Sequence, residues 1–203
     1  MVDIYQVILY LNNSLLVICA LIGILKYKTL RNTEKWYVYY IIFLFLIEAA
    51  GRVSISLFHV KGLDFLFPYY VAGEFLILGI LFVKKLSLPW YCYLPVVVLA
   101  LFFLLDTGMV TNEVKKVISN IIVICFAGYA LLMEIKNIKV NDRFMAVDSL
   151  IFLYYGLSVF LFFLLRQLAD FGVKQAGMIW SINNVLCSFL YISIIYTFLR
   201  LKK

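Results

Sequence analysis

Two carboxylates, Glu48 and Glu74, stand near the middle of apolar runs long enough to cross a bilayer, and a guanidinium, Arg52, follows the first of them by four residues. A charge at membrane depth costs at least ~2.5 kcal/mol even on insertion scales, so it persists where it faces a bundle interior, a partner or a water-filled cavity. The four-residue spacing puts Glu48 and Arg52 on one helix face, with the carboxylate N-terminal to the cation, the favourable order for such a pair. Ser56 and His59 prolong that stripe. Glu74 has no base on its own helix; its neighbours at helical spacing are Tyr70 and Leu78. Arg52 is the sole cation inside any predicted span and is therefore expected to serve as counter-ion to both carboxylates. The chemistry open to such a set is mutual neutralisation between helices, the lining of a binding cavity, or a proton or ion relay.

A second polar set comes from the first and last apolar runs. Asn12 and Asn13 lie in the first, and Trp180, Asn183 and Asn184 in the last, where Ser181, Asn184, Ser188 and Tyr191 share a helical face. Amide side chains between membrane helices contribute ~0.6 kcal/mol per hydrogen bond on average, so interhelical glue and pocket lining both remain open for them. Together Glu48, Arg52, Glu74, Tyr70, Asn12, Asn13, Asn183, Asn184 and Trp180 form the candidate ligand-binding set, expected to converge on one outward-facing pocket. Asp148 reads more simply as an acid in the first turn of a helix, favoured by the dipole.

Other chemistry finds no footing. The chain contains a single histidine, His59, and four cysteines, Cys19, Cys92, Cys125 and Cys187, all inside apolar runs where they act as small apolar residues. No metal site is expected from that inventory, and no predicted span holds an interior lysine for a Schiff base. Nucleophile elbows, phosphate loops and paired-histidine zinc motifs are absent. The expectation is a protein without catalytic residues or cofactor.

The elements that position these residues follow from composition. Of 203 residues 66% are hydrophobic and only 14% charged, against about 25% charged in a soluble domain. The +7 formal charge falls in short clusters between apolar runs and not on one basic face, which argues against nucleic acid and for a topological signal in a bilayer. A helix needs roughly 20 apolar residues to span. Seven segments meet that need: about 5–25, 36–58, 66–83, 88–105, 117–133, 144–165 and 175–198, the fifth being the shortest. Continuous apolar runs without alternation predict helices, not barrel strands. The fold class is thus all-α, a single polytopic transmembrane domain of seven helices. Pro68 and Pro89 suit first-turn positions, whereas Pro95 falls inside the fourth span and predicts a kink. The amino terminus lacks the pattern of a cleaved signal peptide, so the first run is expected to remain as a span.

Lys26, Lys28, Arg31, Lys35, Lys84, Lys85, Lys136, Lys139, Arg143, Arg200, Lys202 and Lys203 would lie on one side, and Lys61, Lys115, Lys116, Arg166 and Lys174 on the other. Twelve against five places the amino terminus outside and the carboxyl terminus in the cytoplasm.

With an outside amino terminus and seven spans, Glu74-Phe75-Leu76-Ile77-Leu78 in the third, and Trp180-Ser181-Ile182-Asn183-Asn184 to Leu190-Tyr191-Ile192 in the last, the chain resembles small uncharacterised bacterial seven-helix proteins that are similar to the membrane portions of seven-helix sensor kinases. The resemblance implies an extracytoplasmic sensing pocket with output through a separate partner; an inner-membrane location, a small or amphipathic ligand, and a membrane protein partner or homo-oligomer are expected beside it. The animal G-protein-coupled pattern is missing: the third span ends in Val83-Lys84-Lys85, and the seventh lacks Asn-Pro-x-x-Tyr. Interior connections of about ten residues and a short carboxyl tail leave no room for an output domain. A receptor-like sensory or accessory protein is therefore the first reading, with a small transporter or channel subunit and a structural subunit of a membrane complex as alternatives.

Overall fold

The computed structural model describes the backbone of residues 4–59, 62–106, 108–136, 142–168 and 173–201, and the side chains of these except 4, 163–168 and 173–180. Seven α-helices account for most of it: α1 (Ile4–Lys26), α2 (Lys35–Phe58), α3 (Phe67–Lys85), α4 (Tyr93–Leu105), α5 (Asn112–Lys136), α6 (Met145–Leu168) and α7 (Val173–Arg200). Six are long and apolar enough to cross a membrane; α4, with the 3-10 turn before it, makes a shorter apolar segment, Trp90–Leu105. The described residues contain no strand.

Local chemistry explains the ends. Pro68 occupies the first turn of α3, where its missing N–H would have no helical partner anyway. α2 closes with His59 in the left-handed conformation (φ 51°), its N–H reaching back to the Ser54 carbonyl. Pro95, expected to kink the fourth span, instead sits in the first turn of α4, where proline is tolerated; a 3-10 turn at Trp90–Cys92 takes up the preceding chain. The fifth helix, expected to be the shortest, runs for 25 residues because it begins at Asn112, ahead of Lys115 and Lys116.

The chain divides into two compact units, one of residues up to Thr29 together with Asn120 onward, the other of Leu30–Ser119. In the first, α7 packs against α1 and α6. The Lys26 ammonium donates to the Leu201 carbonyl at 3.0 Å and Ser188 Oγ donates to Asn12 Oδ1 at 3.3 Å, with sequence separations of 175 and 176. Near-equal offsets at two levels mean that α1 and α7 run parallel. Cys19, Val147, Ile151, Leu190, Ile194 and Phe198 are buried there.

In the second unit α3 packs against both α2 and α4. Lipid is as apolar as leucine, so membrane helices associate through close van der Waals approach, and small residues permit it. Gly73 receives the ring of Phe43 from α2, and Gly79 receives Val96 from α4, whose Cγ1 lies 2.5 Å from where a Cβ would stand. Phe75 and Phe103 stack edge to face with centroids 5.4 Å apart, both buried.

Candidate functional site: a buried triad and an open ion pair

Glu74 does not use Arg52. Its carboxylate is paired with the ammonium of Lys116, from the start of α5, and also accepts the Tyr70 hydroxyl at 3.0 Å. Lys116 Nζ donates to Tyr70 Oη at 3.1 Å and lies 4.3 Å from the centre of its ring. The side chains of Lys116 and Glu74 are 3% and 2% exposed. Tyr70 and Glu74 are one turn apart on α3, so these contacts tie α3 to the start of α5, and each of the three residues has further interactions in the fold. Removing an ammonium and a carboxylate from water costs several kcal/mol per ion, offset only by close pairing with the remaining valences satisfied. Tyr70 supplies that satisfaction from both sides, since its hydroxyl accepts from Lys116 and donates to Glu74.

Lys115, the neighbour of Lys116, is equally buried and turns to the α4–α5 connection. Its ammonium lies 3.0 Å from Asp106 Oδ2 and also donates to the Asp106 carbonyl. Asp106 accepts the backbone N–H groups of Met109 (3.1 Å) and Val110 (3.2 Å) as well. The hydrogen bond from Lys115 holds the Asp106 carboxyl below its ordinary value, with the two backbone donors adding to the effect and desolvation opposing it. Adjacent lysines thus fasten the start of α5 to two elements at once.

The expectation that Arg52 serves both carboxylates is therefore corrected: among the described residues it pairs with Glu48 alone, Nε to Oε1 at 3.3 Å, with side chains 56% and 45% exposed. Helical spacing sets these two on the stripe that also carries Tyr37 and Ile41, both buried. The opposite face of α2 presents Leu46, Ala50, Val53 and Leu57, all exposed. At 1.5 Å per residue Glu48 lies roughly 15 Å, and Arg52 roughly 9 Å, from the C-terminal end of α2.

The asparagines belong to the other unit. Asn12 Oδ1 shares the single hydroxyl hydrogen of Ser188 with the Asn184 carbonyl, which is the nearer acceptor at 3.0 Å, so the α1–α7 seam is polar at this level. Asn13 Nδ2 and Asn183 Oδ1 are buried without a hydrogen-bond partner among the described residues. The side chain of Trp180 lies outside the described residues. Of the nine candidate residues, the structure brings Tyr70 to Glu74 and Glu48 to Arg52 within Leu30–Ser119, while Asn12, Asn13, Asn183 and Asn184 fall in the other unit.

Sequence reasoning missed Lys116 by reading it as a loop charge. The signal was there: a fifth span starting at residue 117 is 17 residues long, short of the roughly 20 required, and one more turn at its start draws Lys116 inside, within reach of a carboxylate lacking a cation on its own helix. A carboxylate cluster also went unnoticed. Glu134, Asp142 and buried Asp148, at the α5–α6 connection, hold oxygens within 4.8 Å of one another; each has further interactions in the fold. No protein family, characterised protein or solved structure matches the chain.

Proposed function

We propose that the chain is a receptor-like sensory or accessory protein of a bacterial inner membrane, crossing it seven times with the amino terminus outside, and that it binds a small ligand in a polar crevice at the outer end of α2 and acts through a membrane partner. The parallel course of α1 and α7 supports an odd number of crossings, since an even number would set first and last helices antiparallel. Burial of Lys115 and Lys116 against acids removes two of the five charges counted on the outer side, which sharpens the inward basic bias.

One observation carries the ligand reading. Glu48 and Arg52 follow buried Tyr37 and Ile41 on one stripe, yet they are themselves half exposed, and Ile55, Ser56 and His59 beyond them are exposed too. Lipid cannot solvate such a pair. Arg52 alone has the length to snorkel to the headgroups, but Glu48 lies too deep to follow, and hydrated surroundings resolve the conflict. In this reading Tyr70, Glu74 and Lys116 are a lock that joins α3 to α5. With the triad's charges already paired, the transporter alternative, which needs a titratable group along a path, draws less support.

The test is thiol accessibility in intact cells with the four native cysteines replaced. A membrane-impermeant thiol reagent added outside should modify Glu48→Cys and spare Ala50→Cys, which lies on the opposite face and nearer the outer end. Equal labelling of both, or labelling of Ala50→Cys alone, refutes the crevice.

A further inference from the structure

The ion pair on α2 is exposed and loosely closed. Arg52 engages Glu48 through one nitrogen and one carboxylate oxygen, at 3.3 Å, longer than the ~2.7–2.9 Å of a well-formed charge-assisted bond. Among the described residues that leaves the two terminal nitrogens of the guanidinium and the second oxygen of Glu48 open, on side chains 56% and 45% exposed. A simple anion approaching Arg52 meets the Glu48 charge beside it, and a simple cation approaching Glu48 meets Arg52, so the site rejects both. A molecule carrying both charges meets an opposite charge at each end. The guanidinium fork matches a carboxylate bidentately, and the free carboxylate oxygen accepts an ammonium.

Spacing narrows the class. The complementary charges are held side by side on consecutive turns of one helix, so the ligand's own charges must be close together, as in a carboxylate and an ammonium on the same carbon. Resting on the crevice reading above, we infer that Glu48 and Arg52 form a recognition site for free α-amino acids, the α-carboxylate on the Arg52 fork and the α-ammonium on Glu48. The loose internal pair gives way to an alternating arrangement of four charges. Ile55, 51% exposed on the same stripe toward the outer end of α2, is placed to contact an apolar amino-acid side chain.

The experiment uses the full chain in mild detergent. Each of the twenty common α-amino acids is added singly and thermal unfolding is followed; for the one with the largest shift, binding is titrated beside its N-acetyl and carboxamide derivatives. At least one amino acid should raise the melting temperature in a saturable way, and each blocked derivative should bind at least tenfold more weakly. Glu48→Gln, which keeps size and exposure, should weaken binding of the parent amino acid at least tenfold while melting like the wild type without ligand. Arg52→Lys, which keeps the charge and loses the fork, should weaken it as well. The inference is overturned if no amino acid shifts the wild type, if a blocked derivative binds as well as its parent, or if Glu48→Gln binds like the wild type. Failure of the underlying reading is separable: if Glu48→Cys resists the impermeant reagent, the crevice itself is wrong, whereas labelling of Glu48→Cys without amino-acid binding removes the ligand class alone.

Discussion

Lys116→Met leaves Glu74 as a carboxylate in a site where its partner had been 3% exposed and it was itself 2% exposed. Breaking a buried pair by removing one partner costs about 3–5 kcal/mol, chiefly through the charge left behind. The variant also takes away the donor to Tyr70 Oη at 3.1 Å, although the Tyr70 hydroxyl keeps its bond to Glu74, so the added loss is no more than about 1 kcal/mol. At about 2–4 °C per kcal/mol for a chain of this size, the melting temperature in mild detergent should fall by roughly 6–24 °C. Replacing the whole network by apolar groups of similar volume, Lys116→Met with Glu74→Leu and Tyr70→Phe, removes the desolvation cost along with the attraction and should return most of that loss. The assay is circular dichroism at 222 nm against temperature at constant protein and detergent concentration. If Lys116→Met melts within a degree of the wild type, the triad does not hold α3 to α5 and the lock is refuted; if the triple variant melts lower than the single one, the cost was not that of an orphaned charge.

Three further outcomes follow from the geometry. Gly79→Ala should destabilise by about 1–3 kcal/mol, as overpacking does, because Val96 Cγ1 stands 2.5 Å from the new Cβ and a β-branched side chain has no spare rotamer; adding Val96→Ala should recover part of it in the same melt. The depressed pKa of Asp106 contributes stability that is present above the ordinary carboxylate range, near 4, and lost as pH falls through the lower folded value, so a pH series below 5 should show a loss in the wild type that Asp106→Asn lacks. Asn183 buries an Oδ1 unpaired among the described residues, and such a group costs its full desolvation; Asn183→Leu should melt at or above the wild-type temperature.

What the sequence made legible was whatever depends on uninterrupted hydrophobicity. The apolar runs placed α1, α2, α6 and α7 within a few residues of their ends, because no competing signal lies inside them. The Glu48–Arg52 pair was readable for an equally local reason: residues four apart on one helix meet whatever the tertiary fold. Misreadings came where long-range contacts override a local rule. Lys115 and Lys116 look like a loop until Asp106 and Glu74 are brought to them. Pro95 looks like a kink until the chain before it is seen to turn as a 3-10 helix. Partner choice for Glu74 was signalled only by the shortness of the fifth apolar run, since Arg52, the cation inside a predicted span, is satisfied locally and the effective one is 42 residues away.

Whether the Glu48 face of α2 meets water while the Leu46 face meets lipid is open to direct measurement by nitroxide labels placed singly at residues 44 to 57 in reconstituted bilayers. Collision with a water-soluble nickel chelate and with oxygen, which concentrates in lipid, is read at each site by power saturation. Two helical periodicities about half a turn out of phase are expected, the nickel maximum on the stripe of Glu48, Arg52 and Ile55 and the oxygen maximum on Leu46, Ala50, Val53 and Leu57. Oxygen dominance on both faces would contradict that expectation.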